Sequence, residues 1–166
     1  HLTTQMKSVG EVMAIGRSMH ESLHKALRGL ETGKNGLDPT GLDLASEEDL
    51  ATLRRELRQP GAERIFFVGD AFRAGLGLER VHELTAIDPW FLAVIEDIVT
   101  TETEVVQQGL SALDTDRMRA LKRLGFSDLR LAALLGTDQS AVRHLRQTLG
   151  VRPVYKRVDS CAAEFA

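Results

Sequence analysis

The chain has 166 residues, enough for one domain with or without a flanking piece, and its 43% apolar and 27% charged content excludes wholesale disorder. A net charge of −3 argues against a general polyanion or membrane-surface binder, and no apolar stretch reaches the roughly 20 residues of a membrane span. The one cysteine, Cys161, excludes an internal disulfide and a cysteine-rich zinc site, and fits a reducing cytoplasm.

In chain order, Glu11–Ile15 is a brief run bounded by two glycines and reads as a short strand. Ser18 with Glu21 forms a capping-box pattern, and Leu23, Ala26, Leu27 and Leu30 follow at helical spacing, predicting a helix over about 19–31. Residues 32–44 hold three glycines and Pro39 and read as a loop, the best candidate boundary in the chain. Ser46 opens a second helix striped by Leu50, Leu53 and Leu57, which Pro60-Gly61 breaks. A third helix carries Ile65, Phe66, Val68, Ala71 and Phe72, and a short one follows around Glu79–Leu84. Asp88-Pro89 pairs an N-cap with proline at the first helical position, opening a long helix to about Gln108. Its wide apolar face runs from Trp90 and Phe91 through Val94, Ile95, Ile98 and Val99. Asp114 or Thr115, then Ser127, then Thr137 cap three more helices that end at Gly125, Gly136 and Gly150. The tail Val151–Val158 reads as extended because Pro153 opposes helix. The fold class is mainly α: an irregular array of short helices with a short N-terminal strand–helix remnant.

Three constellations carry possible chemistry. His20, Glu21 and His24 match H-E-x-x-H, in which two histidines one helical turn apart bind zinc and the glutamate acts as base. A third ligand is needed, and Leu27 and Leu30 stand where an extended motif would require glycine and histidine. Glu47 or Glu48 could supply it, but acidic residues at a helix start have their own electrostatic reason to be there. Glu21 likewise has its capping duty. Residues 127–149 read as helix, glycine turn, helix, with Ala132, Gly136 and Val142 at helix-turn-helix offsets. The second helix of that pair offers Asp138, Gln139, Ser140, Arg143 and His144 near its start, several of them base-reading types. As a structural pair it would instead pack Leu129, Ala132, Ala133, Val142 and Leu145 inward. Local charge favours an anionic partner: residues 117–157 carry ten Lys or Arg against Asp128 and Asp138. The rest of the chain is left at −11, so the same asymmetry also suits docking of a basic face on an acidic one. Cys161, among small neighbours and with no histidine near it in sequence, reads as a packed thiol.

Larger blocks then fall into place. TTQMKSVGEVMAIGR with ESLHKALRGLE, the central AFRAGL and LTAIDPWFL, LKRLGFSD, and the ending PVYKRVDSCAAEFA resemble the large subunit of bacterial carbamoyl-phosphate synthases, end to end and in order. The resemblance implies that residues 1–32 close the first, carboxyphosphate-forming ATP-grasp half. Residues 33–155 would form the helical oligomerisation (connection) domain, and 156–166 would lead into the second half. Both ends then read as cut from a longer chain.

The whole enzyme so implied is a ligase making carbamoyl phosphate from bicarbonate, glutamine-derived ammonia and two ATP, for arginine and pyrimidine synthesis. Its ATP and Mg²⁺ sites would lie outside these residues, leaving no cofactor or metal site here. The segment matching Met6–Met13 would lie near the route taken by carbamate, giving Met6 and Glu11 an indirect part. The implied partners are the other domains of the subunit, a glutaminase small subunit and further copies, with no nucleic acid and no membrane. The resemblance also makes the H-E-x-x-H match accidental, since the family commonly carries other polar residues at positions 20 and 24. Association requires exposed apolar surface, and Phe67, Trp90 and Phe91 are the interface candidates, because adjacent aromatics cannot all face one core. The expected function is therefore structural, the alternatives being a DNA-binding module over residues 127–149 and a zinc hydrolase at His20 and His24.

Overall fold

A computed structural model describes residues 11–155, 157 and 158. Met6 and Cys161 lie outside the described residues. Eight α-helices form among the described residues: α1 (Met19–Gly29), α2 (Glu47–Arg58), α3 (Arg64–Arg73), α4 (Leu78–Thr85), α5 (Pro89–Gln108), α6 (Thr115–Arg123), α7 (Asp128–Leu135) and α8 (Gln139–Thr148). A 3₁₀ turn at Leu110–Ala112, not anticipated from sequence, joins α5 to α6.

Six of the eight helix starts are capped by a side chain; α3, after Glu63, and α4, after Gly77, are not. Ser18, Ser46, Asp88, Asp114 and Ser127 each accept a backbone N–H of the first turn, satisfying donors that the helix itself cannot pair. For α8 the cap is Asp138 rather than Thr137: its carboxylate takes the Ala141 N–H at 2.8 Å, a charged acceptor outcompeting the preceding hydroxyl. The capping box at α1 is also altered. The Ser18 hydroxyl accepts from the Glu21 N–H at 3.2 Å, but Glu21 reaches one residue further back, to the Arg17 N–H at 2.8 Å.

No strand forms among the described residues, so the expected strand at Glu11–Ile15 is corrected. The segment makes no ladder with any other described residue, and Val12, Met13 and Ile15 are exposed. It is pinned instead to α1, where Lys25 Nζ donates to the Ile15 carbonyl at 2.9 Å and Val12 lies over Gly29. A Cβ on Gly29 would stand 2.8 Å from the Val12 methyl, so glycine permits that approach. The tail likewise runs without a ladder, with Val151 buried and Val154 and Tyr155 exposed.

The axis of the array is α5, against which α1, α3, α4 and α7 pack, while α2 closes over α3 and α4 and α8 pairs with α7. Its inward face is Leu92, Ile95, Ile98, Val99 and Val105, each buried and each stabilising by about 1.5–3 kcal/mol. The face is narrower than the sequence suggested, because Trp90 and Phe91 at its first turn point outward. A core of Leu53, Leu57, Phe66, Val68 and Val81 continues through Met118, Leu121, Phe126, Leu131 and Val142.

Candidate functional site

The two histidines of the H-E-x-x-H pattern point to different neighbours. His20 Nε2 stands 2.8 Å from Asp97 on α5. His24 is fully buried, its Nδ1 2.8 Å from the Leu124 carbonyl and its ring 4.6 Å from that of Phe126. A carbonyl partner fixes the Nδ1–H tautomer and leaves Nε2 bare beside Gly36, where it has no partner. Burial, with Arg28 and Arg130 nearby, holds the His24 pKa below 6.5 against the raising influence of the Leu124 carbonyl and Glu102.

Glu21 does structural work. Burial would raise its pKa, but the Arg17 backbone N–H and the Lys25 and Arg17 side chains bring it from 4.5 to about 2. Glu47 and Glu48 sit exposed in the first turn of α2, where they complement the helix dipole. No group of three or more His, Cys, Asp or Glu able to hold a metal occurs among the described residues.

The helix-turn-helix offsets do produce that packing locally. Ala132 and Val142 are buried between α7 and α8, and Gly136 turns the chain with φ +63°. Leu129 and Ala133, expected inward, are exposed, because α7 turns Asp128, Arg130, Leu131 and Ala132 inward, with Leu134 and Leu135 partly buried against the core. Asp138, Gln139, Ser140, Arg143 and His144 lie on the open side of α8 with the carboxylate cap among them. Most of the local positive charge is elsewhere. Among the described residues, seven Lys or Arg side chains line a cleft of about 670 Å³ between α1, α6 and the exit segment Gly150–Tyr155, with Glu21 the single acid.

Sequence reasoning missed two ionic clusters that set this architecture. In the first, Glu102 of α5 receives Arg130 of α7 in a two-pronged contact, Nε at 2.9 Å and an Nη at 2.8 Å. Arg73 of α3 reaches the same carboxylate at 2.8 Å and Asp70 at 2.8 Å. The loop over residues 33–46 is tied into this cluster: Arg130 pairs with Asp38 at 3.1 Å, Asp70 accepts from Thr40, and Arg73 and Arg130 both donate to the Leu37 carbonyl. In the second, Asp128 receives Lys122 at 2.9 Å and Arg146 at 3.0 Å. Burial pushes its pKa up, but those two cations outweigh it and hold the carboxyl below its ordinary range. The readable signal was Glu102 itself, which continues the apolar stripe of Ile95, Ile98 and Val99 at helical spacing.

The remaining candidates are surface features. Glu11 is exposed on the entry segment. Phe67 is half-buried against the core. Trp90 and Phe91 are 59% and 44% exposed, with their rings edge to face at 4.9 Å. Those figures are large for aromatics that the fold could have covered.

A helical array whose buried carboxylates and guanidinium groups tie its helices together, and which leaves an aromatic pair and a basic cleft open among the described residues, has the character of an assembly domain. Residues 11–150 match the oligomerisation domain of the carbamoyl-phosphate synthetase large chain, and this chain belongs to that family. It is 67% identical over 165 residues to the carbamoyl phosphate synthase large chain of Xanthomonas campestris, covering 99% of this chain and 15% of the relative. Corresponding identities are 65% for the Xylella fastidiosa protein and 60% for that of Pseudomonas aeruginosa, at the same coverage. The chain thus spans about 15% of the length of these relatives. The family description gives the α7–α8 pair a place in an oligomerisation domain.

Proposed function

We propose that this chain is the connection domain of a carbamoyl-phosphate-synthesising ligase, joining two ATP-grasp halves and providing a contact between copies of the large chain. The observation that carries the reading is the Trp90–Phe91 pair, two large aromatics left open at the start of α5, the helix against which α1, α3, α4 and α7 pack. Exposed aromatic area of this kind is what protein interfaces use for most of their energy. The relatives' printed name, carbamoyl phosphate synthase large chain, supports assignment to an enzyme that makes carbamoyl phosphate. That enzyme would draw on bicarbonate, glutamine-derived ammonia and two ATP, for arginine and pyrimidine synthesis in the cytoplasm. A glutaminase subunit would deliver the ammonia. ATP and Mg²⁺ would be held by portions of the large chain outside these residues, and this domain would act by holding those portions in register. Met6 and Glu11 would lie beside the carbamate route. The test is the mass of the whole large chain carrying Trp90→Ser and Phe91→Ser. A fall in mass with unchanged helical content supports the reading, and an unchanged mass at all concentrations overturns the contact.

A further inference from the structure

The basic cleft has more positive charge than its own carboxylates answer. Arg17 and Lys25 pair with Glu21 at 3.2 and 3.0 Å, and Lys122 and Arg146 pair with Asp128 behind the cleft wall. Among the described residues Arg119 pairs only with the exposed Asp116, at 3.4 Å. Arg123 and Arg152 make no ion pair with any of the described residues. Burial lowers the pKa of Lys122 despite its hydrogen bond to Asp128, and Arg146 and Arg28 add a smaller push in the same direction. Such a concave positive surface attracts carboxylate or phosphate strongly.

The shape of the wall chooses between the two. One side of the cleft is the exit segment, where Val154 and Tyr155 line it while 77% and 92% exposed. A small phosphate would engage two or three cations and leave that apolar surface bare. A protein surface bearing carboxylates beside apolar atoms would satisfy both. The backbone entering at Arg17 and the backbone leaving at Tyr155 both lie on the rim, so the flanking polypeptide starts within reach.

We propose that the cleft seats an acidic surface of the polypeptide that follows the exit segment in the whole large chain, covering Val154 and Tyr155 and pairing its carboxylates with Arg119, Arg123 and Arg152. The proposal rests on the connection role argued above and gives it a contact. The seat would fix the angle at which the following portion leaves the domain.

The experiment uses the whole large chain carrying Arg123→Lys and Arg152→Lys, which keep the charge and supply amines for zero-length carbodiimide coupling. Expected are cross-links from both positions to Asp or Glu beyond residue 166, lost in a parallel Arg123→Glu/Arg152→Glu chain. Amide exchange at residues 150–155 should rise about tenfold in that reversed chain as the seat opens. Cross-links confined to Glu21, Asp116 and Asp128 would overturn the proposal. Stabilisation of the unmodified chain by inorganic phosphate, lost on charge reversal and without distant cross-links, would overturn it in favour of a small-anion site. Oligomer mass is read in the same samples and in the whole large chain carrying Trp90→Ser and Phe91→Ser. A mass that still depends on Trp90 and Phe91 while the cross-links fail would refute the seat and leave the connection role standing.

Discussion

Replacing Arg130 by methionine removes the guanidinium that joins α5, α7 and the loop over residues 33–46. It leaves Glu102 buried with one cation instead of two and takes from Asp38 its cationic partner. Breaking a buried ion pair costs about 3–5 kcal/mol, and because Arg73 stays within 2.8 Å of Glu102 the lower end applies, about 3 kcal/mol. For a chain of this size that corresponds to a fall of roughly 6–12 °C in unfolding temperature. Urea unfolding followed by circular dichroism measures the loss, and amide exchange at Asn35–Ser46 shows where it falls, since Leu37 and Asp38 lose their tie to α7. The double replacement Arg130→Met with Glu102→Leu should cost at least 1 kcal/mol less than the two single losses added together. A single loss under about 1 kcal/mol, or strict additivity, would refute the view that this cluster holds the loop to the helices.

Acid should destabilise the domain in two stages. His24 is held neutral below its ordinary 6.5, so the unfolded chain takes up its proton first and stability begins to fall as pH drops through about 6.5. Glu21 adds a second loss between its ordinary 4.5 and about 2, worth on the order of 1–2 kcal/mol after screening of the exposed Arg17 and Lys25. Urea unfolding at pH 7.5, 5.5 and 3.5 should show both, and Glu21→Gln should flatten only the lower one; stability that stays level down to pH 3.5 contradicts the assignment. Gly125→Ala should cost about 2 kcal/mol or more in urea unfolding, because φ is +94° there and a Cβ would lie 3.0 Å from Glu21 Cα and His24 Cβ; near-neutrality would show that α1 can move away. Ala86→Gly should raise stability by up to about 1 kcal/mol, since Ala86 ends α4 in the left-handed region at φ +54°; a loss on that change would mean the methyl is packed.

Much of the helix order could be read from the sequence because local chemistry decides it. Serine and aspartate caps, Pro89 after Asp88, and the glycines at 125, 136 and 150 act within one turn of the residues they govern. Glu11–Ile15 failed because a strand requires a partner, and β-type residues alone cannot supply one. Leu129 and Ala133 failed for a related reason: an apolar residue on a short helix is buried only if another element covers that side. The Glu102 cluster joins residues from four separate elements, and only the position of Glu102 on an apolar stripe announced it. The basic cleft was visible as a count over residues 117–157, but not as a place. Folding sends Arg119, Lys122, Arg123, Arg146 and Arg152 to the side facing α1, away from the open start of α8 where a DNA-reading helix would need them.

The most direct test of the central claim is sedimentation equilibrium of the whole large chain, unmodified and with Trp90→Ser and Phe91→Ser, over a hundredfold range of concentration. If the pair is the contact between copies, its loss should weaken association by at least about thirtyfold, the scale of one interface anchor worth 2 kcal/mol, with far-ultraviolet circular dichroism unchanged. An identical association constant in the two chains would contradict the account, and would place the contact on a face other than the start of α5.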